Sequence, residues 1–536
     1  MDSTSPSASG GHSPTHVAEL VARAAARVPD QPAIVDVSSE NTLTWFELDS
    51  AVSAEAARLL TAGVTSGDRV VVRLANGAQF CVAVLGALRA GAVAVPHGPI
   101  AVPRELEIVF ADCRPTVVVA AEGDDAATAA AAAIGASVIT PPDVTARAEA
   151  PPGLPPRARG LTGPAAVGGE AIALLVYTSG TTGVPRGVRL SHRAVLANRA
   201  QAAELRPPLV TSVDRVLLSL PLFHIFGLAA GFLQVCWAGA TVVLTERFDP
   251  AHIAKVLVEQ RVSGVAGVPS MYRSLLDLPP AELRAAMAGV RLCTSGGAPL
   301  PPRWLARFRE ASGLSIFEGY GLTEGGPVIT TNPLDVAPKA GSVGRALPGV
   351  ELRLVDADGR PIDLPADPDP EDIDEDVSDP GQDTGLVAVR GPNLFSGYWP
   401  DGEGGPDADG WFRTADVGFL DADGDLHLVD RASDLVIVNG FNVYPREVEQ
   451  VLLELDGVSE AAVVGVPDDR TGEAVKAVLV GSEELTEEAV RAHCAVRLAR
   501  FKVPAVIQFV AELPRTPTGK VARRLLAAGS LDTDTS

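Results

Sequence analysis

A short apolar run, Ala171-Ile172-Ala173-Leu174-Leu175, breaks abruptly into Val176-Tyr177-Thr178-Ser179-Gly180-Thr181-Thr182-Gly183-Val184-Pro185-Arg186-Gly187-Val188. The run has the length of one buried strand, and the glycines end it. Helical material follows, from Ser191 through His192, Arg193, Ala194 and Val195. A strand that gives way to hydroxyls and glycines ahead of a helix makes a loop suited to phosphate. Small residues let backbone N–H groups point inward, Ser179, Thr181 and Thr182 add hydroxyl donors, and Arg186 adds positive charge. The spacing is not that of the G-x-x-x-x-G-K-[ST] loop. Composition alone would also describe a surface turn; it is the order of residues that narrows the choice.

The chain around this loop has 536 residues, too many for one core, so two or more domains are expected. Its formal charge of −23 argues against a nucleic-acid partner and against an anionic membrane surface. Anionic substrates must then be drawn in by local basic groups. Cys81, Cys113, Cys236, Cys293 and Cys494 stand far apart without a C-x-x-C pair. That suits a reducing cytoplasm and offers neither a zinc site nor a disulfide framework. Lysine occurs only at 255, 339, 476, 502 and 520, so a lysine inside a motif carries more information than usual.

Residues 1–15 are rich in Ser, Pro and Gly, without an apolar or basic leader segment, and read as a disordered tail. From about His16 onward, helical patterns alternate with short β-branched runs such as Ala33-Ile34-Val35, Arg69-Val70-Val71-Val72 and Ala92-Val93-Ala94-Val95. This rhythm predicts α/β architecture with a parallel, doubly wound sheet. Residues 216–245 contain no Asp, Glu, Lys or Arg, a stretch longer than the ~20 residues of a membrane helix. Pro221, His224, Gly227, Gly231 and Gly239 punctuate it, so a buried strand–loop–helix–strand segment is expected instead of a transmembrane span. An acidic insertion over 366–384 reads as an exposed loop.

Four further strings stand out: Leu220-Pro221-Leu222-Phe223-His224-Ile225-Phe226-Gly227-Leu228, Ile316-Phe317-Glu318-Gly319-Tyr320-Gly321-Leu322-Thr323-Glu324, Gly410-Trp411-Phe412-Arg413-Thr414-Ala415-Asp416, and Leu513-Pro514-Arg515-Thr516-Pro517-Thr518-Gly519-Lys520. Together with the loop at 178–186 they resemble the adenylate-forming enzymes (acyl-CoA synthetases, luciferases and peptide-synthetase adenylation domains). The likeness is greatest to medium- and long-chain fatty acyl-CoA ligases, and it covers nearly the whole chain from His16. It implies a large N-terminal domain, 16–430, of doubly wound α/β subdomains plus a β-rich one. A hinge at 431–434 and a small mobile α+β domain, 435–536, would follow. Ser433 departs from the usual Asp or Lys pivot, and Arg186 from the usual loop lysine.

The resemblance also implies roles. Thr178, Ser179, Gly180, Thr181, Thr182, Gly183 and Arg186 would hold phosphate. Gly297, Ala298, Gly319, Tyr320 and Gly321 would flank adenine, with Thr323 near the phosphate. Asp416 and Arg431 would take the ribose, Glu324 with Thr181 would hold Mg²⁺, and Lys520 would neutralise the reacting oxygens. His224, Phe226 and Gly227 would border the acyl group, and Gly440 and Phe441 the CoA pantetheine. The implied enzyme is an AMP-forming acid–thiol ligase. It uses ATP and Mg²⁺ to convert a carboxylic acid, a fatty acid foremost, into acyl-AMP and then a CoA thioester. Alternatives on the same residues are a fatty acyl-AMP ligase that delivers to a carrier protein, an aryl-CoA ligase, a luciferase-like enzyme and a nucleotide-binding scaffold without activity. A homodimer is compatible with all of these.

Overall fold

The computed structural model describes residues 13–144, 168–179, 185–362, 384–431, 434–438, 441–468, 470–482, 484–516 and 520–527. Most of the expected N-terminal tail, Gly180, Thr181, Thr182, Gly183, nearly all of the acidic insertion, Ser433 and Gly440 lie outside them.

Two α/β sheets dominate a large N-terminal domain. In the first, strands run in the order 137–139, 117–120, 69–73, 93–97, 172–179 and 185–191, parallel except for the last pair. In the second, strands 316–321, 292–295, 264–267, 215–218, 241–244 and 32–36 are mutually parallel, with antiparallel strands at both edges. Valine-rich strands such as Arg69–Arg73 are buried on both faces, as helix-covered parallel sheets require. Between them pack helices with clear starting signals. Thr44 and Glu47 exchange side-chain and backbone hydrogen bonds in a capping box ahead of Trp45–Thr61. A four-stranded antiparallel sheet (351–355, 385–390, 411–420, 426–431) forms the β-rich part. The smaller C-terminal domain is a sheet of 441–443, 436–438, 472–481, 458–468 and 506–509 with helices Pro445–Leu453 and Glu487–Ala495.

The segment 216–245 resolves into the strand Arg215–Leu218, a loop, a π-helix over Phe226–Leu233, the short helix Gln234–Ala238 and the strand Thr241–Leu244. No helix among the described residues is long and apolar enough to cross a membrane. The helix starts at His192 with Ser191 as its cap, where helical material is expected, but a strand, Pro185–Ser191, precedes it, with Thr178 opposite Arg186 and Ser179 opposite Pro185 in an antiparallel pair. The cause lies in the alternation after the loop. Val188 and Leu190 point into the core, and that period of two makes Pro185–Ser191 a strand before the chain can turn helical.

Candidate active site

In open parallel sheets, ligands gather outside the carboxyl ends of the strands. Strand 215–218 leads into the His224 loop, strand 264–267 into Val268, strand 292–295 into Gly296–Gly297, and strand 316–321 into Glu324. From the other sheet, strand 93–97 ends in His97 and strand 172–179 ends at the phosphate-type loop. Loops far apart in sequence thus converge on one side of the molecule.

The adenine and ribose candidates are brought together. Tyr320 and Asp416 are both nearly buried, and the Tyr320 hydroxyl donates to Asp416 Oδ2 at 2.6 Å. Asp416 lies directly opposite Arg431 across a strand pair, which sets the two at one sheet position. Gly321 has no room for a side chain, since a Cβ there would sit 2.0 Å from Pro327 O. The segment Gly296–Gly319 closes on the acyl candidates. A Cβ on Gly296 would lie 3.4 Å from the Phe226 ring and 3.5 Å from Gly319 O. Gly227 is buried, and its missing side chain points at Pro221 O, 2.4 Å from an ideal Cβ. Its contribution is to let the π-helix approach the Pro221 loop. Ala298 and Gly297 line the cleft beside Glu318.

His224 is held neutral. Burial, then the positive charge of Lys520, then His97, lower its imidazole pKa to about 4. Its Nε2 is buried without a hydrogen-bond partner among the described residues. Lys520 itself is exposed, on a turn where Thr516 N–H donates to Lys520 O at 2.7 Å and Lys520 N–H to Thr516 Oγ1 at 3.2 Å. Its charge nonetheless reaches His224, three hundred residues away in the chain. The cleft between the domains, 1580 Å³, is bordered by Gly297, Ala298, Glu318, Arg446, Phe441 and Lys520. Phe441 is exposed and stacks on Phe501 with ring centroids 4.8 Å apart.

Glu324 follows directly on strand 316–321 in a short 3₁₀ turn with Thr323. Its Oε1 accepts from the Tyr398 hydroxyl at 2.8 Å. Arg186 lies over the Tyr398 ring, its guanidinium carbon 3.6 Å from the centroid. Tyr398 was given no role from sequence, although Gly397-Tyr398-Trp399 is a legible aromatic string. Glu318 and His97 were also passed over. Glu318 is buried, accepts from Leu300 N–H at 3.0 Å, and is pushed up to about 8 by burial. A lone acid or histidine at the end of an apolar strand was the available signal for both.

Arg303, on the helix Pro302–Ser312, bridges the domains. It donates to the carbonyls of Leu453 (2.7 Å), Val458 (3.1 Å) and Ser459 (2.7 Å). Arg446 N–H donates to buried Asp430 Oδ2 at 2.9 Å, just before the expected hinge.

Comparison with known proteins shows the family of the chain. The family described as AMP-binding enzyme matches residues 21–399, and its C-terminal domain matches residues 447–520. A long-chain-fatty-acid–CoA ligase of Salmonella typhimurium is 33% identical over 553 residues, spanning 96% of this chain and 95% of the relative. A feruloyl-CoA synthase of an Amycolatopsis species is 35% identical over 493 residues, 90% of this chain and 92% of the relative. The crystal structure of ATP-bound MatB from Rhodopseudomonas palustris superposes with a TM-score of 0.84 at 32% identity, covering 95% of this chain and 98% of that one. The chain therefore belongs to the AMP-binding enzyme family, the adenylate-forming acid–thiol ligases that its sequence resembles.

Proposed function

We propose that this protein joins a carboxylic acid to CoA in two half-reactions at one cleft, with a fatty acid as its preferred acid. In the first, the carboxylate attacks the α-phosphate of ATP in line, the bond to the β-phosphate breaks, and acyl-AMP and pyrophosphate result. Both reactants are anions, so the work is alignment and charge neutralisation, not proton transfer. The single observation that carries this is the convergence of the Lys520 charge on a buried, neutral His224 whose Nε2 has no hydrogen-bond partner among the described residues. A carboxylate seated there would meet one polar nitrogen and one cation, in apolar surroundings supplied by Phe226.

Asp416, already an acceptor for Tyr320, suits the ribose hydroxyls as an ionised carboxylate. Thr178, Ser179, the 180–183 loop and Arg186 would take the departing pyrophosphate, and Gly297, Ala298 and Gly319 to Gly321 the base. Glu324 fits a magnesium ion, being a hard oxygen donor with Oε1 held by Tyr398 and no bond to Oε2 among the described residues. Bound magnesium would supply charge neutralisation on the phosphate oxygens. After pyrophosphate leaves, the small domain turns about 431–434. Lys520 then withdraws, Gly440 and Phe441 come over the site, and the CoA thiol, giving up its proton, attacks the acyl carbonyl carbon as the acyl–phosphate bond breaks and AMP leaves. Support for a fatty acid comes from the uncharged π-helix Phe226–Leu233 and from the name of the Salmonella relative.

The test is pyrophosphate release across a panel of aliphatic, aromatic and dicarboxylic acids, with and without CoA. Magnesium-dependent turnover of medium or long fatty acids with thioester formed is the expected result. Preference for hydroxycinnamic acids would move the acid class to aryl. Acyl-AMP that accumulates in the presence of CoA would move the acceptor to a carrier protein. No exchange of labelled pyrophosphate into ATP with any acid would end the proposal.

A further inference from the structure

Tyr398 stands between the two groups assigned to the metal and to phosphate. Its hydroxyl donates to Glu324 Oε1 at 2.8 Å, and its ring face carries Arg186 at 3.6 Å. The ring is fixed from behind, because Phe395 meets it edge-on at 5.0 Å and meets Phe412 in the same way. The backbone of the segment is fastened to both clients. Phe395 N–H donates to Glu324 O at 2.9 Å, and Trp399 N–H to Gly187 O at 2.8 Å, next to Arg186.

A guanidinium and a carboxylate this close to one phenol attract each other. Collapsed into an ion pair, they would have to be separated again before metal-bound ATP could enter. The ring gives Arg186 a face to stack on, and stacking suits the planar guanidinium better than the ammonium of the lysine usual in this loop. The hydroxyl meanwhile uses one oxygen of Glu324. We propose that Tyr398 is a positioning residue that separates and aims this pair, so that Glu324 keeps an oxygen for the metal and Arg186 stays open to phosphate. The inference rests on the roles proposed above for Glu324 and Arg186.

The experiment measures Mn²⁺ binding by electron paramagnetic resonance, in the presence of a non-hydrolysable ATP analogue, on the full-length protein. Tyr398→Phe keeps the stacking face but frees Glu324, and should weaken Mn²⁺ about tenfold, the effect of one hydrogen bond to a charged group. Tyr398→Leu removes both interactions and should weaken it further. Adding Arg186→Gln to Tyr398→Leu should then recover affinity toward the Tyr398→Phe value, because the competing ion pair is gone. A purely structural tyrosine would make that double variant no better than Tyr398→Leu, and such a result overturns the proposal. Unchanged Mn²⁺ affinity in a Tyr398→Phe protein with native melting temperature overturns it as well. If the wild type binds no Mn²⁺ with the analogue, the metal role of Glu324 fails first, which separates the two claims.

Discussion

The two halves of the candidate site are built differently. On the large domain, Tyr320 and Asp416 are buried and bonded to each other, and Glu324 is held by Tyr398. On the small domain, Lys520 is exposed on a short turn secured by hydrogen bonds to the Thr516 backbone and hydroxyl. One half is preorganised by strands and packing. The other is delivered by the position of a whole domain, which Arg303 pins through three backbone carbonyls. A preformed half can serve both half-reactions, whereas a delivered group can act in one and leave for the other.

The contrast can be tested from either side. The largest effect is expected from acid acting on the large domain. His16 and His192 are buried with ring centroids 3.8 Å apart, and each accepts a backbone N–H at Nδ1, from Ala18 and Val17 respectively. Burial and then Arg89 lower His16 to about 4, while burial and then His16 lower His192 to about 3. Between these values and the unfolded imidazole value near 6.5, the unfolded chain binds protons that the folded chain refuses, so stability falls as pH falls. At roughly 1.4 kcal/mol per unit per imidazole, these two histidines together cost about 4 kcal/mol at pH 5, offset in part by buried Glu318, raised to about 8, which holds a proton in the folded chain that the unfolded chain lacks. Denaturant unfolding at pH 7 and pH 5 should show the large-domain transition moving to lower denaturant, and the small-domain transition not following it, because Glu449, raised to about 7 by burial, binds a proton in the folded state over the same range.

Next in size, Lys520→Ala should slow acyl-AMP formation on the order of 10²–10³-fold. Thioester formation from supplied acyl-AMP should survive. Equal loss of both would mean that Lys520 is not the delivered group. Asp416→Ala should cost about 10²-fold in kcat/KM for ATP, as expected for hydrogen bonds to a charged acceptor. It should also impair thioester formation from acyl-AMP, because a preformed half stays in use; a defect confined to adenylation would erase the contrast. Arg303→Ala should slow adenylation only about three- to tenfold, the effect of losing modest hydrogen bonds. Its thioester step should be unchanged or faster, as measured by pre-steady-state mixing. The smallest effect belongs to Arg186→Lys, which keeps the charge but loses a planar face on Tyr398. Pyrophosphate exchange should change by less than about threefold.

Much of the candidate site was legible without coordinates wherever its residues are contiguous. Gly319-Tyr320-Gly321 with Thr323-Glu324, Thr414-Ala415-Asp416 and the lone motif lysine Lys520 are each recognisable as candidates from their own neighbours. The α/β class was legible for the same reason, since β-branched runs alternating with helical periods are a property of neighbours in the chain. The strand that carries Arg186 was not legible, because it is set by where Val188 and Leu190 find a core, a tertiary matter.

The sequence by itself determined which residue types are available: a carboxylate at 324 and 416, a histidine in an apolar loop, a cation at 520. Only the tertiary structure decided their electrical state and their partners. His224 is neutral because folding buries it and brings Lys520 and His97 near. Glu324 and Arg186 both meet Tyr398, more than seventy residues beyond the acid, because folding brings those segments together. Desolvation and contact between distant segments have no period or spacing along the chain, so no pattern of neighbours could announce them.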